Sequence, residues 1–181
     1  MHWFCAVTER SWRFPWTFFT SQLVLWDAFG LAIHASVLLN VGQAVVPAIG
    51  AANFYKVYFA SGAAYDLAEL VWCSATGVYF GASVGPAGTL IGLAAALAST
   101  SANSWSPPAD FSFFGVNLGP EQLVAAMMGL HLVQHGARAL PGCVAAALAG
   151  YYLGGFYAVQ WRLSAIGTID SWLDFALRGL F

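Results

Sequence analysis

The sequence predicts an all-α protein: a polytopic bundle of about five transmembrane helices followed by a C-terminal amphipathic helix. Three observations carry that expectation. Of the 181 residues, 60% are hydrophobic and 8% charged, with a mean hydropathy of +0.70. A soluble domain carries roughly 25% charged residues, so this chain cannot clothe a folded surface in solvated side chains. Apolar stretches recur near the length of about 20 residues that crosses a hydrocarbon core. Between them lie segments rich in Gly, Pro, Asn and Asp, which interrupt helices.

Residues 1–15 read as an N-terminal interfacial segment, where Trp3 and Trp12 suit the headgroup level. The first span runs from Trp16 to about Leu39, interrupted only by Gln22, Asp27 and His34. Residues 45–52, broken by Pro47 and Gly50, are too short to cross and read as a loop or re-entrant segment. Four more spans follow: Tyr58 to Phe80, Ala87 to Thr100, Gln122 to Gln134, and Val144 to Trp161. The third and fourth spans are short and must begin within their Gly/Pro flanks or thin the bilayer. The bundle thus occupies residues 16–162.

The connectors are equally legible. Residues 101–120 hold Pro107, Pro108, Asp110, Asn117, Gly119 and Pro120, and form the longest polar loop. Residues 135–142 make a tight turn, with Pro141 near the start of the next helix. Arg10, Arg13 and Arg138 fall on one side of a five-span bundle and Lys56 and Arg162 on the other, so basic residues barely bias its orientation. In residues 163–181, Ile166, Ile169, Leu173, Ala176 and Leu180 recur at helical steps, with Asp170, Asp174 and Arg178 on another face. That pattern is an amphipathic helix, poor in Lys and Arg, which a protein partner fits as well as a lipid surface does.

Composition also excludes function classes. Six Lys and Arg and a net charge of −2 exclude a nucleic-acid footprint. Cys5, Cys73 and Cys143 are scattered, with no CxxC spacing, so neither a disulfide framework nor a zinc site is expected. No cofactor or metal is expected; phospholipid is the expected bound molecule.

Ionisable side chains inside a bilayer are costly and are candidates for function. Asp27 lies in the first span, Asp66 and Glu69 share a face of the second, and His131 and His135 share a face of the fourth. Two histidines and two carboxylates suit a metal site or a proton relay. Equally, each can simply bond a neighbouring helix or sit near the membrane surface. A series of small residues, Gly81, Gly85, Gly88 and Gly92, and a second around Gly150, Gly154 and Gly155, predict two central helices packed backbone to backbone.

Several local patterns occur in one order. They are Ser11-Trp12-Arg13-Phe14-Pro15-Trp16-Thr17-Phe18-Phe19, then Ala64-Tyr65-Asp66-Leu67, then Trp105-Ser106-Pro107-Pro108 with Phe113-Phe114-Gly115. Gly119-Pro120 to Gly129 and Leu148-Ala149-Gly150-Tyr151-Tyr152-Leu153-Gly154-Gly155-Phe156-Tyr157 follow. Together, over residues 11–160, they resemble the rhomboid superfamily and its derlin branch in particular, without the first family helix. In active rhomboids the nucleophile is the Ser of Gly-x-Ser-Gly and the base a His on the last helix. The matching stretch here is Gly85-Pro86-Ala87-Gly88, so Ala87 stands at the serine position and Gly155 at that of the histidine. The resemblance therefore implies a pseudoprotease, since neither residue supplies a nucleophile or a base. Ser83 is the one alternative nucleophile, and it is out of register.

The resulting expectation is a non-catalytic accessory subunit of a larger membrane complex. Its partners are other membrane subunits, with the mitochondrial inner membrane favoured (a respiratory complex or ATP synthase). Alternatives are a derlin-type role in endoplasmic-reticulum quality control, an ion or proton path through Asp66, Glu69 and the His pair, and an active intramembrane protease.

Overall fold

A computed structural model describes residues 14–23, 28–77, 86–102, 111–113 and 116–178. The expectations resting on Asp27, Gly81, Ser83, Gly85, Cys5 and the Trp105 to Pro108 motif fall outside those residues. The described chain forms α1 (Thr17–Thr20), a 3-10 turn (Ser21–Leu23), α2 (Ala28–Ile49), α3 (Ala51–Thr76) and α4 (Ala87–Ala102). Then come β1 (Phe111–Phe113), β2 (Val116–Leu118), α5 (Pro120–His135), a second 3-10 turn (Ala137–Ala139) and α6 (Leu140–Arg178). It is a helical bundle, and two of its stretches, Gly30–Ile49 and Ala137–Ser164, are long and apolar enough to cross a membrane.

The start of the bundle differs from the sequence expectation. The helix expected from Trp16 to Leu39 is instead a single turn plus a 3-10 turn, and the long helix begins at Ala28. The cause is polar: Ser21 and Gln22 are fully buried, turned inward onto a carboxylate of α3. Nor are residues 45–52 a loop. Pro47 sits inside α2, and the Gly50 N–H still donates to the Val46 carbonyl at 2.8 Å. Proline removes its own hydrogen bond and crowds the carbonyl four residues back, yet the ladder continues past Pro47 to the helix end. The break comes at Gly50, whose φ of 82° is open to glycine and unfavourable for other residues. Its carbonyl then accepts from Phe54 N–H at 3.0 Å and starts α3.

The remaining ends follow local chemistry. Gly77, at φ 68°, terminates α3 in a left-handed cap, earlier than the Phe80 expected. Pro120 opens α5, while the Gly119 N–H donates to Gln122 Oε1 at 3.0 Å. Gly136, at φ 75°, closes it. The 101–120 connector carries a short antiparallel hairpin that the sequence reading did not anticipate, pairing Phe111 with Leu118 and Phe113 with Val116. The amphipathic segment from 163 onward is not a separate helix either. It continues α6 without a break, because no proline intervenes and Ser164 Oγ bonds back to the Trp161 carbonyl at 2.7 Å. At 1.5 Å per residue α6 is about 58 Å long, far more than a bilayer core of roughly 30 Å.

Helix α4 is the centre. From Gly88 to Thr100 every residue is buried, by α2, α3, α5 and α6 around it. Small residues make that possible. A methyl group on Gly150 of α6 would land on the Gly92 carbonyl of α4, so the two backbones touch there. One on Gly154 would come within 2.7 Å of Ala96 Cα. Gly92 also receives Ser61, and Gly88 receives Tyr65, both from α3.

Large apolar side chains cover much of the outside: Leu31, Leu39, Trp72, Val133, Leu148, Tyr152, Phe156 and Leu163 all point outward. Inside, an aliphatic core that includes Val41, Val45, Ile49, Ile91 and Leu93 also encloses Thr17, Gln22, Ser61, Asp66, Glu69, Thr89, Ser99, Thr100 and His131.

Candidate functional site

The polar groups collect along one stripe of α3. Tyr58, Ser61, Gly62, Tyr65, Asp66, Glu69 and Cys73 recur at three- and four-residue steps, all buried. Such spacing keeps them on one side of a helix, facing its neighbours. Glycines let the neighbours in: Gly62 admits the Gln22 side chain, and Gly88 of α4 and Gly142 of α6 both press on the Tyr65 ring.

Two clusters result. In the first, Asp66 is 2% exposed, and its Oδ2 accepts from Ser21 Oγ and Gln22 Nε2, each at 2.8 Å. Gln22 Nε2 also donates to Ser21 Oγ at 3.1 Å. The Tyr58 hydroxyl donates to the Gln22 carbonyl at 3.3 Å and lies 3.4 Å from His34 Nε2 on α2. These two bonds to one buried carboxyl oxygen anchor the N-terminal turn to α3.

In the second cluster, the Tyr65 hydroxyl is 2.6 Å from His131 Nε2, and Glu69 lies one turn further along the same stripe of α3. Glu69 is 4% exposed. The rings of His131 and His135 stand 4.3 Å apart, and His135 is exposed at the end of α5. The Arg138 guanidinium is near, donating through Nε to the His135 carbonyl at 3.0 Å. The structure thus bonds His131 of α5 to Tyr65 of α3, and places Asp66 and Glu69 on the same buried stripe of α3 as Tyr65. Among the described residues, no three His, Cys, Asp or Glu side chains converge as a metal-ligand group.

The helix-packing glycines Gly88, Gly92, Gly150 and Gly154 all lie at close helix contacts. Ala87 and Gly155 are not brought face to face. Gly155 opposes Ser99, whose Oγ a methyl there would meet at 2.6 Å. Ser99 lies about 18 Å along α4 from Ala87, at 1.5 Å per residue. The chain passes along α4 and α6 in the same direction, Gly92 against Gly150 and Ala96 against Gly154, so the level of Ala87 on α6 is near its start.

Sequence reasoning overlooked Tyr65, Tyr58, Ser21, Gln22, Ser61 and His34 as parts of the polar network. One signal was available: the buried stripe of α3 is periodic, with Tyr58, Tyr65 and Glu69 in line with Ser61 and Cys73. Against known proteins, no family model, no curated protein and no solved structure matches the chain.

Proposed function

We propose that this chain is a non-catalytic integral membrane protein, about five helices crossing the bilayer in a rhomboid- or derlin-like bundle, and an accessory subunit of a larger membrane assembly. The observation that carries the reading is an apolar exterior around a core that encloses ionisable groups among its aliphatic side chains. Bulky apolar side chains such as Trp72, Val133, Tyr152 and Phe156 face outward, while Asp66, Glu69 and His131 are enclosed, Asp66 bonded to the N-terminal turn and His131 to Tyr65 of α3. A hydrocarbon solvent favours that arrangement and water opposes it. α2, α3, α4, α5 and α6 are the crossing elements.

The non-catalytic part of the reading draws on the candidate positions themselves. Ala87 and Gly155 carry no nucleophile and no base, and they stand at different levels of the bundle. An acyl-transfer dyad requires an activated hydroxyl or thiol next to its base. The accessory role draws on α6, which at about 58 Å outruns the bilayer and offers a projecting end to a neighbour. Other membrane subunits and bound phospholipid are the proposed partners, and the mitochondrial inner membrane the proposed location.

The test is native-gel mass spectrometry of the endogenous protein after extraction in mild detergent. Co-migration with a large complex of defined subunits is expected. Recovery as a free monomer alone would overturn the accessory reading, and resistance to alkaline carbonate extraction checks membrane insertion separately.

A further inference from the structure

α2 is held by one side only. Of its apolar stretch, Gly30–Ile49, 22% is buried in the bundle, against 33% of the stretch in α6. The inner side is aliphatic: Val37, Val41, Val45 and Ile49 are each 2% exposed or less. His34 apart, the polar side chains lie on the other side. Ser36, Asn40 and Gln43, with Pro47, recur at steps of four, three and four residues. At 3.6 residues per turn, their mean direction is roughly 150° from that of the four core residues. Asn40, Gln43 and Pro47 are exposed, and Ser36 is half-buried.

Such a stripe is ordinary on a helix that faces water and costly on one that faces hydrocarbon. Asn40 sits midway along Gly30–Ile49, about 15 Å from either end at 1.5 Å per residue. Its Nδ2 donates to the Ser36 carbonyl at 2.8 Å, which leaves the second N–H and Oδ1 for other partners. Among the described residues the Gln43 amide has no partner. Pro47 adds a third group, because it has no N–H to return to the Gln43 carbonyl one turn back. Lipid tails bond none of these groups, whereas polar side chains of another helix do.

We propose that this face of α2 is a self-association surface, on which a second copy of the chain docks its own α2 through Asn40 and Gln43. Two copies inserted in the same sense are related by a two-fold axis along the membrane normal. The paired helices then run parallel, and each residue near the axis meets its own counterpart. Such a contact demands groups that complement themselves. Carboxamides do: each offers an N–H and a C=O, and two of them close reciprocal hydrogen bonds. A charged group would repel its copy, and α2 contains no Asp, Glu, Lys or Arg. A partner helix with a lone charge finds nothing on this face to neutralise it, which favours the copy. Ala32 and Ser36, four residues apart on the same side, are small enough to let the two backbones approach.

The proposal rests on α2 crossing the bilayer and not on other subunits. The full chain, carrying a donor or an acceptor fluorophore at its C-terminus, is placed in phosphatidylcholine vesicles at high lipid-to-protein ratio. Energy transfer above that of random mixing is expected. Replacing both amides, Asn40→Leu with Gln43→Leu, should weaken association by roughly tenfold, read from the lipid dilution that halves the transfer. Leucine on an outward face disturbs no packing, so insertion and melting should be kept. Tyr152→Phe, which removes a hydroxyl from the outer face of α6, should change nothing. Ser36→Cys should link two copies by a disulfide on mild oxidation, beyond the wild-type level, and Val133→Cys on the outer face of α5 should not. Transfer at the random level, unchanged association of the double leucine variant, or a Ser36→Cys link in native membranes to a different chain in place of the copy would overturn the pairing. A chain that alkaline carbonate washes off the vesicles overturns the membrane reading along with it; an inserted chain that stays single overturns the pairing alone.

Discussion

The seam between α4 and α6 and the seam between α3 and α5 solve the same problem in opposite ways. At the first, side chains are deleted: Gly92 meets Gly150 and Ala96 meets Gly154, and the backbones themselves are in contact. At the second, long side chains reach across: Tyr65 extends from α3 to His131 of α5. In the proposed membrane setting neither seam gains from expelling water. Close van der Waals contact drives the first and hydrogen bonding the second. The difference teaches where each seam is fragile. A glycine seam fails on any added atom, whereas a side-chain seam fails on a lost one.

The largest effect is therefore expected at Gly150. Gly150→Leu would place carbon on the Gly92 carbonyl, with rigid backbone on both sides and no flexible side chain to move aside. Overpacking of this kind costs about 1–3 kcal/mol in a deformable core, and more where backbone must shift. For a chain of this size each kcal/mol lowers Tm by roughly 2–4 °C. Thermal unfolding in detergent should show a fall of about 10 °C or failure to recover monodisperse protein. An unchanged transition would mean that α4 and α6 do not touch at that point.

The two seams also differ in how far the sequence reveals them. Gly88, Gly92, Gly150 and Gly154 announce themselves by spacing alone, because the small-residue rule needs only one helix at a time. The Tyr65 to His131 pair joins residues 66 apart in the chain, and no local pattern says which helix faces which. The bounds of α4 and α5 were legible within two residues, since glycine and proline flank them. The start of the bundle was not: hydropathy sees Ser21 and Gln22 as minor interruptions, whereas both are buried and bonded to Asp66 on a distant helix. Pro47 misled in the other direction, being a breaker by type but harmless two residues before α2 ends at Ile49.

The anchoring of that N-terminal turn supplies the middle-sized effect. Asp66→Ala removes the acceptor of two donors, Ser21 Oγ and Gln22 Nε2, both buried. A buried donor left unsatisfied costs about 1–3 kcal/mol in water-soluble proteins, while side-chain bonds between membrane helices average about 0.6 kcal/mol. Between those limits, a fall in Tm of several degrees is expected. Asp66→Asn, which retains an acceptor oxygen, should lose less than half as much. Equal losses would show that packing volume, and not the hydrogen bonds, holds the turn in place.

The smallest effect has the opposite sign and separates crowding from mere glycine content. Gly129 lies inside α5, and a methyl group there would meet nothing within 4 Å, unlike one on Gly150 or Gly142. A helical glycine without a close neighbour serves no packing purpose. Replacing it with alanine narrows the unfolded ensemble and stabilises the helix by about 0.5–1 kcal/mol. Gly129→Ala should therefore raise Tm by roughly 1–4 °C, the range set by the same per-kcal/mol conversion. A fall instead would place an unseen neighbour against that face of α5, which is where a second subunit would sit, and the same substitution measured in the intact assembly would distinguish the two cases.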